Sequence, residues 1–233
     1  MHWTLITGAS NNLGAHLALT LAKQKHNILV HYNTSHENAE TVAINCRAFG
    51  VEAKTVYGNF SHRDGVKAFI QKLNNEFPHI KVLINNVGSY LKKSVLETSI
   101  EEWEMIFQEN LFVSIALAQA LAPSITEQKG NILNIGACGL SLKANTFNTA
   151  YAAAKTALLI FTKSLAKELA PLQTPINMIS PGQIEQSIVK ISNIPMEREA
   201  TFEEIANVAI FLLQDSNRYI TGQNIEVAGG LLL

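Results

Sequence analysis

The sequence predicts an α/β protein built on one doubly wound, seven-stranded parallel sheet with helices on both faces. Short apolar runs rich in Val and Ile alternate with longer stretches in which apolar residues recur at threes and fours, between Lys, Glu and Gln. Most of the short runs lack polar alternation, as strands buried on both faces should. The alternation continues along the whole chain with no Pro/Gly/Ser-rich linker, low-complexity tract or repeat, so residues 1–233 are expected to form a single domain. With 233 residues, 47% of them hydrophobic, the chain has enough apolar material for one large core, which excludes disorder.

In order, strands are expected at 3–7, 28–32, 52–57, 82–85, 131–135, 176–179 and 224–227. Helices are expected between them at 13–25, 37–49, 63–77, 100–126, 149–169 and 202–213. Such a sheet binds its ligands outside the carboxyl ends of the strands, where the strand order reverses, so function is sought after each strand.

Several classes fall away on composition. Eighteen Lys and Arg against 19 Asp and Glu leave a net charge of -1, which gives no electrostatic reason for a nucleic-acid or anionic-membrane partner. Only 16% of residues are charged, so either much of the chain is core or part of its surface is covered by another subunit. Cys46 and Cys138 lie far apart and match no metal-ligand spacing, which suits a reduced, cytoplasmic chain. His31 and His36 are off the helical same-face spacing and no HExxH occurs, so no metal is expected. Met1-His2 runs straight into Trp3 without a basic leader, and each apolar run taken singly is too short for a bilayer.

After the first strand comes Thr7-Gly8-Ala9-Ser10-Asn11-Asn12-Leu13-Gly14. Glycines here let the backbone turn tightly and approach a pyrophosphate at a helix N-terminus. A plain glycine turn has the same pattern; its place in the first βαβ unit favours nucleotide binding. After the second strand, Tyr32-Asn33-Thr34-Ser35-His36 carries no carboxylate before Glu37, favouring NADP(H) over NAD(H), although no Arg or Lys stands ready for a 2′-phosphate. Asn85-Asn86-Val87-Gly88 follows the fourth strand and reads equally well as a turn. Past the fifth strand and Gly136-Ala137-Cys138-Gly139, Tyr151 and Lys155 are spaced to share a helix face, and a cation close to a phenol would lower its pKa toward working pH.

Taken together, Thr7-Gly8 through Gly14, Asn85-Asn86-Val87-Gly88, Asn110, Tyr151-x-x-x-Lys155, Ser180-Pro181-Gly182 and Tyr219-Ile220-Thr221-Gly222-Gln223 resemble the short-chain dehydrogenase/reductase family across essentially the whole chain. Within it the chain looks most like beta-ketoacyl-ACP reductases and pteridine or dihydromonapterin reductases. The resemblance implies a single-domain Rossmann fold and an NADP(H)-dependent oxidoreductase acting on a small carbonyl or pterin-like substrate. It implies that Tyr151 gives a proton to the substrate, that Lys155 holds the nicotinamide ribose and lowers the tyrosine pKa, and that Asn110 binds a relay water. It places Gly8, Ser10, Asn11, Asn12, Leu13 and Gly14 on the cofactor, with Asn33, Thr34 and Ser35 near the 2′-phosphate. Asn59, with Phe60, would meet the adenine, and Asn86 and Gly88 the adenosine side. Pro181, Gly182 and Ile184 would flank the nicotinamide, while Ala137, Cys138 and Gln183 would face substrate. Relatives usually assemble as homodimers or homotetramers through the 100–126 and 149–169 helices and the last strand.

The sequence also departs from the family. A catalytic Ser, or Asp in pterin reductases, is replaced by Ala137 if the strand is aligned, or by Cys138 if residues are counted back from Tyr151; Ser141 comes too late in the turn. Losing one donor to a developing oxyanion typically costs about 10²–10³ in rate, so a catalytically weakened NADP-binding protein is the competing expectation. Asn12 stands where relatives have glycine, and it tolerates the left-handed backbone the loop needs. Only 21 residues separate Gly182 from Glu204, which implies a short substrate lid.

Overall fold

A computed structural model describes residues 2–139, 144, 146–187 and 193–233; Met1 and Ser141 lie outside the described residues. Seven strands form one sheet: β1 (Trp3–Ile6), β2 (Asn27–Tyr32), β3 (Ala53–Tyr57), β4 (Ile80–Asn85), β5 (Asn131–Ile135), β6 (Ile176–Pro181) and β7 (Asn224–Val227). All pair in parallel, in the order β3-β2-β1-β4-β5-β6-β7. The chain winds outward from β1 to β3, then returns to β4 beside β1 and winds the other way. The order reverses between β1 and β4, and a crevice opens beyond their carboxyl ends.

The central strands are buried on both faces, which is why β1 and β5 read as unbroken runs rather than alternating ones. On one face, α1 (Asn12–Lys23), α2 (His36–Arg47) and α7 (Phe202–Leu213) bury Leu17, Leu21, Val42, Ile205 and Leu212 against Ile6, Val30 and Ile84. On the other, α3 (Arg63–Glu76), α5 (Val113–Glu127) and α6 (Thr149–Leu169) bury Phe69, Leu73, Leu117, Leu121 and Leu165 against Leu5, Leu29 and Leu83. Two further starts are written into the chain: Ser99-x-x-Glu102 and Thr201-x-x-Glu204 each close a capping box, opening α4 (Ile100–Phe107) and α7.

The long helix expected at 100–126 does not run as a single α-helix. Between α4 and α5, residues Gln108–Phe112 form a π turn centred on Asn110. Asn110 Nδ2 donates to Ile106 O, four residues back, at 3.0 Å, so the side chain takes a carbonyl that an α-helical amide would otherwise use. The ladder re-forms one residue longer. Joined end to end, Ile100–Glu127 is long and apolar enough by composition to span a bilayer, which the single runs were not. In the fold, Leu117, Ala118, Leu121 and Ile125 of this rod pack in the core.

In the apolar Leu231-Leu232-Leu233 end, Leu231 and Leu232 lie partly buried beside Gly182 and Gly139, leaving Leu233 exposed.

Candidate active site

Beyond β1 and β4 lies a cleft of about 890 Å³. Its first wall is the glycine loop. Gly8 has φ +62, and a Cβ on Gly14 would stand 2.2 Å from Gly8 O, so backbone meets backbone where any larger residue would collide. Asn12, at φ 47, adopts the left-handed conformation its side chain tolerates. Thr7 and Asn86 staple this loop to β4: Thr7 Oγ1 accepts from Asn86 N (2.8 Å) and Val87 N (3.0 Å), and Asn86 Nδ2 donates to Thr7 O (3.0 Å) and Gly8 O (3.2 Å). The Asn86 amide expected to reach a ligand therefore holds the loop instead, although the residue still lines the cleft.

His31 is a further support that the sequence did not single out. It is buried at the end of β2, stacked on Phe60 with ring centroids 4.1 Å apart. Its Nδ1 accepts from Gly8 N at 2.9 Å, so its Nε2 carries the hydrogen given to Gly58 O at 3.0 Å. Burial pushes its pKa from 6.5 down to about 4, which keeps the ring neutral and the Gly8 bond intact. The unfolded chain protonates near 6.5 and the folded one near 4, so this group removes stability as pH falls through that window, about 3 kcal/mol in all. Urea midpoints at pH 7 and pH 4.5 should lie closer together in His31→Gln than in the wild type; an unchanged gap would contradict the assignment.

Tyr32, Asn33, Thr34 and Ser35 line the cleft beyond the end of β2, with no carboxylate among them. Asn38 Nδ2 donates to Asn11 Oδ1 at 2.7 Å, linking α2 to the loop before α1. Asn59 does not line the cleft, contrary to expectation: its Oδ1 accepts from Ser61 N (3.0 Å) and Ser61 Oγ (2.6 Å), closing a local turn. Gly58 and Phe60 line the cleft on either side of it.

Tyr151 and Lys155 meet at the other end. Lys155 is 5% exposed, and its Nζ donates to Ile135 O at 2.8 Å. Among the described residues it is the only Lys or Arg lining the cleft, and burial brings it down to about 8. Beside it, Asn110 is fully buried, with Nδ2 bonded to Ser89 O and Ile106 O, both at 3.0 Å, and with no partner for Oδ1 among the described residues. Gly88 permits the approach: a Cβ there would be 2.2 Å from Asn110 Oδ1 and 3.2 Å from Lys155 Nζ. The spacing of Tyr151 and Lys155 suggested a lowered phenol pKa. In this arrangement it is raised instead, by burial first and then by the charges Tyr90 and Cys138 would carry on ionising. Lys155 Nζ stands 5.9 Å from the Tyr151 ring centroid and is turned toward the Ile135 carbonyl.

Ala137, Cys138, Pro181, Gly182, Gln183 and Ile184 complete the wall. Cys138 is the replaced-serine candidate within electrostatic range of Tyr151; burial and Glu226 hold its thiol above the ordinary value. Gln183 is buried, and its Nε2 donates to Glu199 Oε1 at 2.8 Å. The cleft also takes in Ser89, Tyr90, Glu109, Asn148 and Phe202, which no motif had marked.

The crevice at the reversal of a parallel sheet, floored by a glycine loop, defines a Rossmann-type α/β protein. A family model described as enoyl-(acyl carrier protein) reductase matches residues 8–232. The chain belongs to that family of short-chain dehydrogenase/reductase oxidoreductases. It is 33% identical to the 3-oxoacyl-[acyl-carrier-protein] reductase FabG of Staphylococcus aureus, covering 98% of this chain and 97% of that one. It is 33% identical to a 3-oxoacyl-[acyl-carrier-protein] reductase of Synechocystis, covering 98% and 96%. Among solved structures it superposes on acetoin dehydrogenase YohF of Salmonella typhimurium with TM-score 0.91 and 27% identity, over 99% of this chain and 96% of that one. A blue fluorescent protein from a metagenomic library, solved with NADPH, matches with TM-score 0.92 and 25% identity, covering 100% and 98%.

Proposed function

We propose that this chain is an NADP(H)-dependent reductase of a small carbonyl or pterin-like substrate, with Tyr151 as proton donor. The observation that carries the reading is the convergence of Tyr151, the buried Lys155 and the unpartnered Asn110 Oδ1 at one end of the glycine-loop cleft. The residues fit a dinucleotide. Gly8 and Gly14 leave room for a pyrophosphate against bare backbone, and the carboxylate-free stretch from Tyr32 to Ser35 suits a 2′-phosphate better than free ribose hydroxyls. Bound there, the cofactor supplies hydride. Lys155 would hold the nicotinamide ribose, and Asn110 Oδ1 would accept from a water that passes protons inward. Tyr151, kept protonated by its raised pKa, is suited to donate rather than to act as a resident phenolate.

The relatives' names make a 3-oxoacyl thioester and acetoin the first substrates to try, beside dihydropterins and quinones. Fluorescence titration should give tighter binding of NADPH than of NADH; no micromolar binding of either would overturn the proposal. The weakened-protein reading keeps one observation in its favour, the absence of a hydroxyl at both Ala137 and Cys138. Turnover of NADPH with any of these substrates decides between the two.

We also propose a homodimer or homotetramer in the cytoplasm. Ile100, Met105, Phe112 and Ile160 leave apolar surface exposed on the helices expected to pair. Light scattering should give a multiple of 25.5 kDa, and a clean monomer would contradict it.

A further inference from the structure

The strand-end segment facing Tyr151 offers Ala137, which has no donor, and Cys138, whose thiol is a weak one. A stronger donor stands on another segment. Tyr90 lines the cleft, 40% exposed, and its ring meets that of Tyr151 edge-on, with centroids 5.0 Å apart and planes at 65°. Asn148, at the N-terminal boundary of α6, donates from Nδ2 to Tyr90 Oη at 3.2 Å. The two segments are joined nearby, where Lys93 N donates to Phe147 O at 2.8 Å. A phenol oxygen that accepts from an amide still has its own hydrogen to give, and among the described residues no acceptor is bonded to it.

We propose that Tyr90, oriented by Asn148, is the second hydrogen-bond donor to the substrate oxygen, taking the place of the hydroxyl missing at 137 and 138. This rests on the carbonyl reduction proposed above. Tyr90 transfers nothing. The carbonyl carbon gains hydride, its π pair moves to oxygen, and Tyr151 supplies the proton; the Tyr90 O–H stabilises the negative charge as it forms. Asn148 is a positioning residue: it occupies one lone pair of Tyr90 Oη and so restricts where the hydrogen points. That Tyr151 would feel the charge of an ionised Tyr90 agrees with the two phenol groups sharing one space.

The test is steady-state NADPH oxidation with the N-acetylcysteamine thioester of acetoacetate. Tyr90→Phe should lower kcat by about 100-fold or more while KM and NADPH affinity by fluorescence stay near wild type. Adding Cys138→Ser to Tyr90→Phe should restore at least about tenfold of the loss, because a serine hydroxyl supplies the missing donor from the strand-end segment. A merely structural role for Tyr90 would not be rescued in this way. Asn148→Ala should lower kcat in wild type and have little further effect in Tyr90→Phe. Wild-type kcat in Tyr90→Phe, beside an inactive Tyr151→Phe, would overturn this proposal alone, as would a loss that Cys138→Ser fails to recover. A wild-type protein that binds NADPH yet reduces neither the thioester nor acetoin would remove the carbonyl reduction and this proposal together.

Discussion

Tyr151→Phe is expected to lower the rate of NADPH-dependent reduction by about 10²–10⁴-fold, the usual worth of a positioned general acid. The fold should survive, because only the phenol oxygen is lost and the ring keeps its edge-on contact with Tyr90. NADPH affinity should be nearly unchanged, since Lys155 Nζ is held by Ile135 O independently of the phenol. The loss should therefore fall on kcat rather than on KM. Equal rates for the two proteins under single-turnover conditions would remove Tyr151 from the chemistry.

Gly14→Ala should abolish nucleotide binding. The added Cβ would lie 2.2 Å from Gly8 O and 2.8 Å from Asn86 Nδ2, and no rotamer change can relieve a collision with backbone. The loop would have to move, breaking the bonds from Asn86 to Thr7 and Gly8. Overpacking of this kind typically costs about 1–3 kcal/mol in stability, and binding should weaken by more than the fold does because the moved backbone is itself the binding surface. Gly50→Ala is the contrast: it is strained by φ +76 but meets nothing within 4 Å. It should cost about 1 kcal/mol and leave NADPH affinity intact. Equal affinities for the two variants would show that the glycine loop does not carry the ligand.

The fold was legible because burial on both faces leaves its mark directly on the strands: Ile28-Leu29-Val30 and Ile132-Leu133 have no polar residue to place in water. The end-on residues of the site were legible for a different reason, since a glycine loop and a Tyr-x-x-x-Lys pair are local in sequence. What escaped was whatever depends on two distant segments meeting. His31 was weighed only as a metal ligand, and only the packing of β2 beside the β1 loop brings its Nδ1 to Gly8 N. Tyr90 and Asn148 are 58 residues apart and belong to no motif. Asn59 failed in the opposite direction, because a short polar side chain that can close its own turn does so before it reaches a ligand. The tyrosine pKa was misjudged because helical spacing says that two side chains share a face, not which way the longer one turns.

The π turn at Gln108–Phe112 has a consequence for how the rod is phased. One residue added to an α-helical ladder rotates everything before it by about 100° relative to everything after it. In this chain the segment before the turn directs Ile106 onto Ala150 and Ala154 of α6, while the segment after it directs Leu117 and Leu121 onto the sheet. An unbroken helix of the same sequence would satisfy one of these contacts and misdirect the other. Asn110 thus sets the clocking between the helix half that builds the core and the half that packs beside Tyr151, and a residue lost from or added to 108–112 would change it.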